Sequence, residues 1–194
     1  GKELQQTVLL VGSGKTGSEN VVRELFAGGR SSGAKARLNG SLIYGDGKGL
    51  FQVDGVHDIQ LLDGFYDQVS GVQIDGEVSI SGEIVDPKCY FGVMKPGEGK
   101  VHQSCAIRCI DGGIPPVFSS DSRGYYLLVD EDHKAVSTEV VGIVGDRITL
   151  HGKEIRWNDW TLLQVNSETI RQLSYAKKLK ESLLAFEAGM TKCN

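Results

Sequence analysis

Short apolar runs recur along the first 165 residues, and glycine or polar turns separate them. That alternation is the pattern of β-strands joined by tight turns. Thr7–Val11, Ala36–Tyr44, Gly49–Val53, Val78–Val85, Tyr125–Val129, Arg147–Trp157 and Thr161–Val165 read as strands. Two segments between them, Ser18–Phe26 and Ser137–Val144, read as short helices, each opening on a serine able to cap. After Val165 the period lengthens. Ile170, Leu173, Ala176, Leu179, Leu183 and Phe186 recur at helical spacing with Lys177, Lys178, Lys180 and Glu181 between them. This predicts an amphipathic helix of about twenty residues, capped by Asn166 or Ser167 and ended by Gly189. It is expected to pack on its own barrel; a protein partner docked on the helix and a membrane-surface helix are the alternatives.

The strands repeat. Residues 36–53 align without a gap on residues 148–165, placing Leu38, Gly40, Ile43, Leu50 and Gln52 on Leu150, Gly152, Ile155, Leu162 and Gln164. Upstream, Leu9-Leu10-Val11 falls on Leu127-Leu128-Val129 and Val22 on Val140. Two collinear matches separated by one change of loop length point to an internal duplication. Each copy reads as strand, helix and hairpin, the back half of an OB-like barrel. The predicted fold is mainly β with short helices: two OB-like small β-barrels in residues 1–75 and 76–166, then a C-terminal helix and tail in 167–194. Val78–Val85 supplies the first strand of the second copy, while that of the first copy lies upstream of Gly1 or is absent. Because the chain begins at Gly1 rather than Met, removal of an upstream segment is expected.

Composition narrows the choice of partners. With 21 Lys and Arg against 25 Asp and Glu, the net charge is −4, the wrong sign for a nucleic-acid binder. No apolar stretch reaches the ~18–20 residues of a membrane helix, so membrane attachment is expected only through a missing N-terminal anchor. The 26 glycines against 4 prolines fit a turn-rich β protein.

The glycine motif Gly12-Ser13-Gly14-Lys15-Thr16-Gly17 matches G-x-G-x-x-G and the end of a P-loop. Position 9 is Leu where a P-loop needs glycine, and Gly28–Asn39 holds no acidic residue for a ribose. The second copy carries Asp130-Glu131-Asp132-His133 in the same turn, where phosphate would be repelled. A plain glycine-rich turn is therefore expected.

Four cysteines are present: Cys89, Cys105, Cys109 and Cys193. Cys105 and Cys109 lie one helical turn apart, His102 joins the same face, and Cys89 stands across a glycine-rich loop. Cys89, His102, Cys105 and Cys109 form a donor set suited to Zn²⁺ and also to copper or iron. The alternatives are a structural disulfide of Cys89 with Cys105 or Cys109, or a redox-active Cys105–Cys109 pair. Asp86, before Pro87, reads as a turn-stabilising carboxylate; a hydrogen-bond partner that supports one of the ligands is the alternative. Trp157 and Trp160 bracket a hairpin turn and are the candidate platform for an oligosaccharide or protein ligand. His57, His133 and His151 stand at no catalytic spacing. No catalytic dyad, triad or cofactor motif is legible, which leans away from an enzyme.

Gly82, Asp86 and Cys89, followed by His102, Cys105, Ala106, Cys109, Gly112 and Gly113, form the pattern G-x-x-x-D-x-x-C, H-x-x-C-A-x-x-C-x-x-G-G. Over about Val78–Val165 this resembles an uncharacterised bacterial family of small exported β domains. The resemblance implies a periplasmic or other extracytoplasmic location, and no chemistry. The expected function is that of an exported, non-enzymatic accessory or binding protein whose second domain carries a Cys/His cluster. A thiol-redox protein and an OB-type ligand-binding module are the alternatives.

Overall fold

The structure, a computed structural model, describes residues 6–27, 29, 31–66 and 72–190. The first half contains β1 (Val8–Val11), α1 (Glu19–Phe26), β2 (Ala34–Leu38), β3 (Ser41–Gly45), β4 (Lys48–Gln52) and β5 (Ile59–Phe65). The second contains β6 (Val72–Val85), α2 (Pro87–Phe91), α3 (Gln103–Asp111), β7 (Val117–Ser120), β8 (Gly124–Val129), β9 (Arg147–Trp157) and β10 (Trp160–Gln164). The chain continues into α4 (Ser167–Met190).

Strands β6 to β10 close into a five-stranded barrel in the order β10-β8-β7-β6-β9. Within it β8 and β10 run parallel, and the other pairs are antiparallel. Alternate residues of each strand point inward, as the two-residue side-chain period requires. Ile80, Ile84, Phe118, Tyr126, Leu128, Leu150 and Leu163 thereby make the barrel core. Val136, Val140, Ile143 and Val144 fill out that core. They do so from successive turns across 137–144 and not from the expected helix. The local reason is composition: Val140, Val141, Ile143 and Val144 are β-branched and Gly142 and Gly145 flank them, all poor helix formers.

Among the described residues the first half does not close. Strands β1, β4 and β3 form one sheet, and β2 and β5 form a separate pair. The single strand expected over Ala36–Tyr44 breaks at Asn39-Gly40, where a Cβ on Gly40 would lie 2.0 Å from the Gln52 carbonyl oxygen. Strand β5 lies antiparallel to β2, pairing Ile59 with Leu38, much as β6 pairs Ile80 with Leu150 of β9.

The pairings of the two halves coincide at the positions that align in sequence. Leu9 pairs with Leu50 and Leu127 with Leu162. Ile43 pairs with Leu50 and Ile155 with Leu162. At the hairpin turns Asp46 and Asn158 both adopt positive φ, 48° and 51°, as two-residue hairpin loops demand.

The halves share a second core. Val11 and Leu50 from the first pack with Val85, Phe91, Cys109, Ile114, Val117, Leu127 and Trp160 from the second. The contacts at its border are reciprocal: Tyr125 donates its hydroxyl to Asp46 at 2.8 Å, and the Thr7 amide donates to Asp159 at 2.7 Å. Each hairpin turn thus reaches the start of the other half's strand. Phe91 stands edge-on to both Tyr125 and Trp160, which fixes α2 against this seam.

Asn166 caps α4, its Oδ1 accepting the Thr169 amide at 2.8 Å. Among the described side chains, α4 docks through its first three turns, the last contact being the ion pair of Lys177 with Asp146. Ile170 is buried in the barrel core, and Ser174 Oγ accepts the Gly142 amide at 2.8 Å. Leu173, Leu179 and Leu183 remain exposed, and Phe186 falls outside the described side chains. The helix runs through Gly189 to Met190 rather than ending there. Among the described residues no helix is long and apolar enough to cross a membrane. Ile170→Ala should lower the free energy of unfolding by about 2–4 kcal/mol through the cavity it leaves. Leu183→Ala should stay within about 0.5 kcal/mol, and urea titration of both variants checks the contrast.

Candidate metal centre

Two short helices inserted between β6 and β7 carry the cysteines. Asp86 is held extended by the following proline (φ −79°, ψ 114°), and its Oδ1 accepts the Lys88 amide at 2.9 Å. With Pro87 in the first turn, this capping starts α2 and carries Cys89 inward. The carboxylate thus plays the turn-stabilising part read from sequence. His102 precedes α3, and Ala106, Cys109 and Ile110 form the buried side of that helix.

The four expected ligands do not converge on one point. One ligand atom each from Cys89, His102 and Cys105 lie within 4.8 Å of one another. Cys109 belongs to a second group with Cys89 and Asp86 at the same limit. Helix geometry explains the split. Seven residues of α-helix rise about 10 Å, too far for one ion to touch both His102 and Cys109. Cys89 meets α3 partway and is common to both groups. Cys89, Cys105 and Cys109 are free thiols, so the structure holds none of the expected disulfides. Cys193 lies outside the described residues.

Two buried members of these groups each carry an unpartnered polar atom. His102 is 4% exposed and Asp86 fully buried. Neither His102 Nε2 nor Asp86 Oδ2 has a hydrogen-bond partner. Hydrogen bonding with Cys109, burial, and the nearby Asp86 carboxylate push the Cys89 thiol far above its ordinary pKa.

The first half also contributes, although the sequence placed the site in the second alone. Lys15 Nζ donates to Cys105 Sγ at 2.8 Å, and that bond holds the lysine pKa up. Lys88 Nζ donates to the carbonyls of Gly12 and Gly14 at 2.8 and 2.7 Å. Burial lowers its pKa. The glycine turn therefore presents carbonyl oxygens to a cation, the reverse of a phosphate cradle. Its close approach to α3 depends on glycine. The Gly17 amide donates to the Gly112 carbonyl at 2.9 Å, and a Cβ on Gly112 would lie 1.9 Å from the Lys15 oxygen.

A cavity of about 670 Å³ opens above the cluster, with Cys89, Cys105 and Cys109 on its floor and Leu42, Tyr44 and Met94 on its walls. The tryptophans stand elsewhere. Trp160 is buried in the seam at 1% exposure, its Nε1 donating to the Thr7 carbonyl at 3.2 Å, so it offers no face to a ligand. Trp157 lines a smaller groove with Val72, His133, Ile155 and Leu162. No family model, curated protein or solved structure matches this chain.

Proposed function

We propose that this chain is a transition-metal-binding accessory protein, not an enzyme, holding one Zn²⁺ or Cu⁺ ion between Cys89, Cys105 and His102. The observation that carries the reading is the buried His102 imidazole. It has no hydrogen-bond partner at Nε2, and one of its ring nitrogens sits in a group with two thiols within 4.8 Å. An unsatisfied buried polar atom costs about 1–3 kcal/mol, and a metal ion bound at that atom relieves it. Two sulfurs and one imidazole are donors for borderline-soft and soft ions.

The barrel order, with its one parallel contact, supports an OB-like reading of the second half. The coincident registers and reciprocal contacts support a duplicated unit whose first copy is open. The extracytoplasmic location proposed here rests on the resemblance of the cysteine segment. In such a compartment free thiols oxidise unless occupied, and a bound metal keeps them reduced. The exposed leucines of α4 support a protein partner on that helix. The thiol-redox alternative moves from Cys105–Cys109 to Cys89 and Cys109, whose thiols interact directly.

Native mass spectrometry without chelator, followed by denatured thiol counting, tests the proposal. One zinc or copper with all thiols free supports it; loss of two hydrogens with no metal overturns it. Metal uptake should also release protons. Cys89 keeps its proton at neutral pH in the metal-free protein, because its pKa is raised. Ligation requires the thiolate, so Zn²⁺ titration should acidify a weakly buffered solution and affinity should fall as pH falls. A pH-indicator titration reads both.

A further inference from the structure

Structural metal sites are closed by four protein ligands, whereas sites that act on a further molecule keep one position open. Here the donor group holds three residues, and its surroundings are not closed. Cys89 and Cys105 line the floor of the 670 Å³ cavity while His102 does not. An ion bound to all three therefore lies between the buried imidazole and the cavity, with its remaining position facing the cavity.

The cavity is built for something other than water. Its volume falls in the ~300–1,000 Å³ range of small-molecule pockets. Leu42, Tyr44, Phe91, Val93 and Met94 give it apolar walls. At the mouth Val93 is 96% exposed, Leu42 58% and Tyr44 57%, an apolar rim of the kind that marks a binding site. Two lysines line it: Lys88, whose Nζ is held by the Gly12 and Gly14 carbonyls, and Lys15, which stands beside the floor with its Nζ on Cys105. With a metal on the Cys105 sulfur, that ammonium stands beside the remaining position.

We infer that this cavity binds an apolar small molecule carrying a single anionic donor, a carboxylate or thiolate. The anion takes the open metal position beside Lys15, and the apolar body lies against Leu42, Tyr44 and Met94. The inference rests on the metal reading above, and one experiment separates the two. Co²⁺ replaces the native ion in the full chain. Sulfur-to-cobalt absorption reports loading, and the visible ligand-field bands report the fourth position. 3-Phenylpropionate should shift the ligand-field bands saturably and leave the sulfur bands in place. Acetate should need at least ~10-fold more, because it buries no apolar surface. Leu42→Asp and Val93→Asp, both at exposed positions, should load Co²⁺ normally and weaken 3-phenylpropionate at least ~10-fold. A loaded protein that ignores 3-phenylpropionate, and loses sulfur absorption in Cys109→Ala, has Cys109 as its fourth ligand. That result overturns the cavity inference and leaves the metal reading standing. A loaded protein that responds equally to acetate and 3-phenylpropionate overturns the apolar pocket alone. Failure of Co²⁺ to load overturns both.

Discussion

Cys89→Ser should abolish stable metal loading, lowering Zn²⁺ affinity by more than about a hundredfold, beyond the 10–100-fold typical of residues that only orient a ligand. Cys89 is the one sulfur common to both donor groups, so no neighbour substitutes for it without moving a helix. Cys109→Ala removes a residue outside the Cys89–His102–Cys105 group and should cost no more than that 10–100-fold. A competition titration against a chromophoric chelator measures both variants. Equal losses would place Cys109 among the ligands. Because Cys89 is only partly buried, a serine there should change the stability of the metal-free protein by about 1 kcal/mol. Lost affinity therefore cannot be mistaken for lost fold.

The hairpins were the most legible part of the chain. Gly49–Val53 and Thr161–Val165 are short apolar runs, and Asp46-Gly47 and Asn158-Asp159 carry turn chemistry that only a few residue types satisfy. The expected Arg147–Trp157 strand has the bounds of β9. Strand β5 was not legible, because Ile59–Phe65 contains Asp63-Gly64 and six of its seven residues are exposed. Strand β7 spans only four residues, too few for a period to register. Closure of the second half and openness of the first depend on which edges meet, and pairing partners leave no mark in a local pattern.

The donor set was half legible. Helical spacing places His102, Cys105 and Cys109 on one face, but facing the same way is not meeting at one point. The rise along the helix separates the two ends, and only the position of Cys89 decides which neighbours it joins. Lys15 was missed because it reaches Cys105 across 90 residues of sequence. One signal was present. The turn of the first half is glycine-rich where the second carries Asp130-Glu131-Asp132, and such a difference between turns aligned in sequence marks a place where one half meets something the other does not.

Gly17→Ala should be among the most destabilising single-atom-group additions in the chain, lowering unfolding free energy by about 2–3 kcal/mol, in the upper range for overpacking. The added Cβ would lie 2.0 Å from the Gly113 carbonyl oxygen. That oxygen belongs to the backbone beyond α3, and no side chain can swing aside. Relief requires the glycine turn to back away from α3, which breaks the Gly17–Gly112 hydrogen bond and draws Lys15 off Cys105. The same displacement loosens the core that Val11 and Leu50 share with Trp160 and Ile114. Since neither half owns that core, the variant should still unfold in one transition, at lower urea and with an unchanged slope. Tryptophan fluorescence reports the seam through Trp160, and far-ultraviolet circular dichroism reports the strands of both halves. Coincident midpoints for the two signals are the expected result. A fluorescence change that precedes the loss of β signal would show two units docked and separable, and a metal site whose lysine is dispensable to the fold.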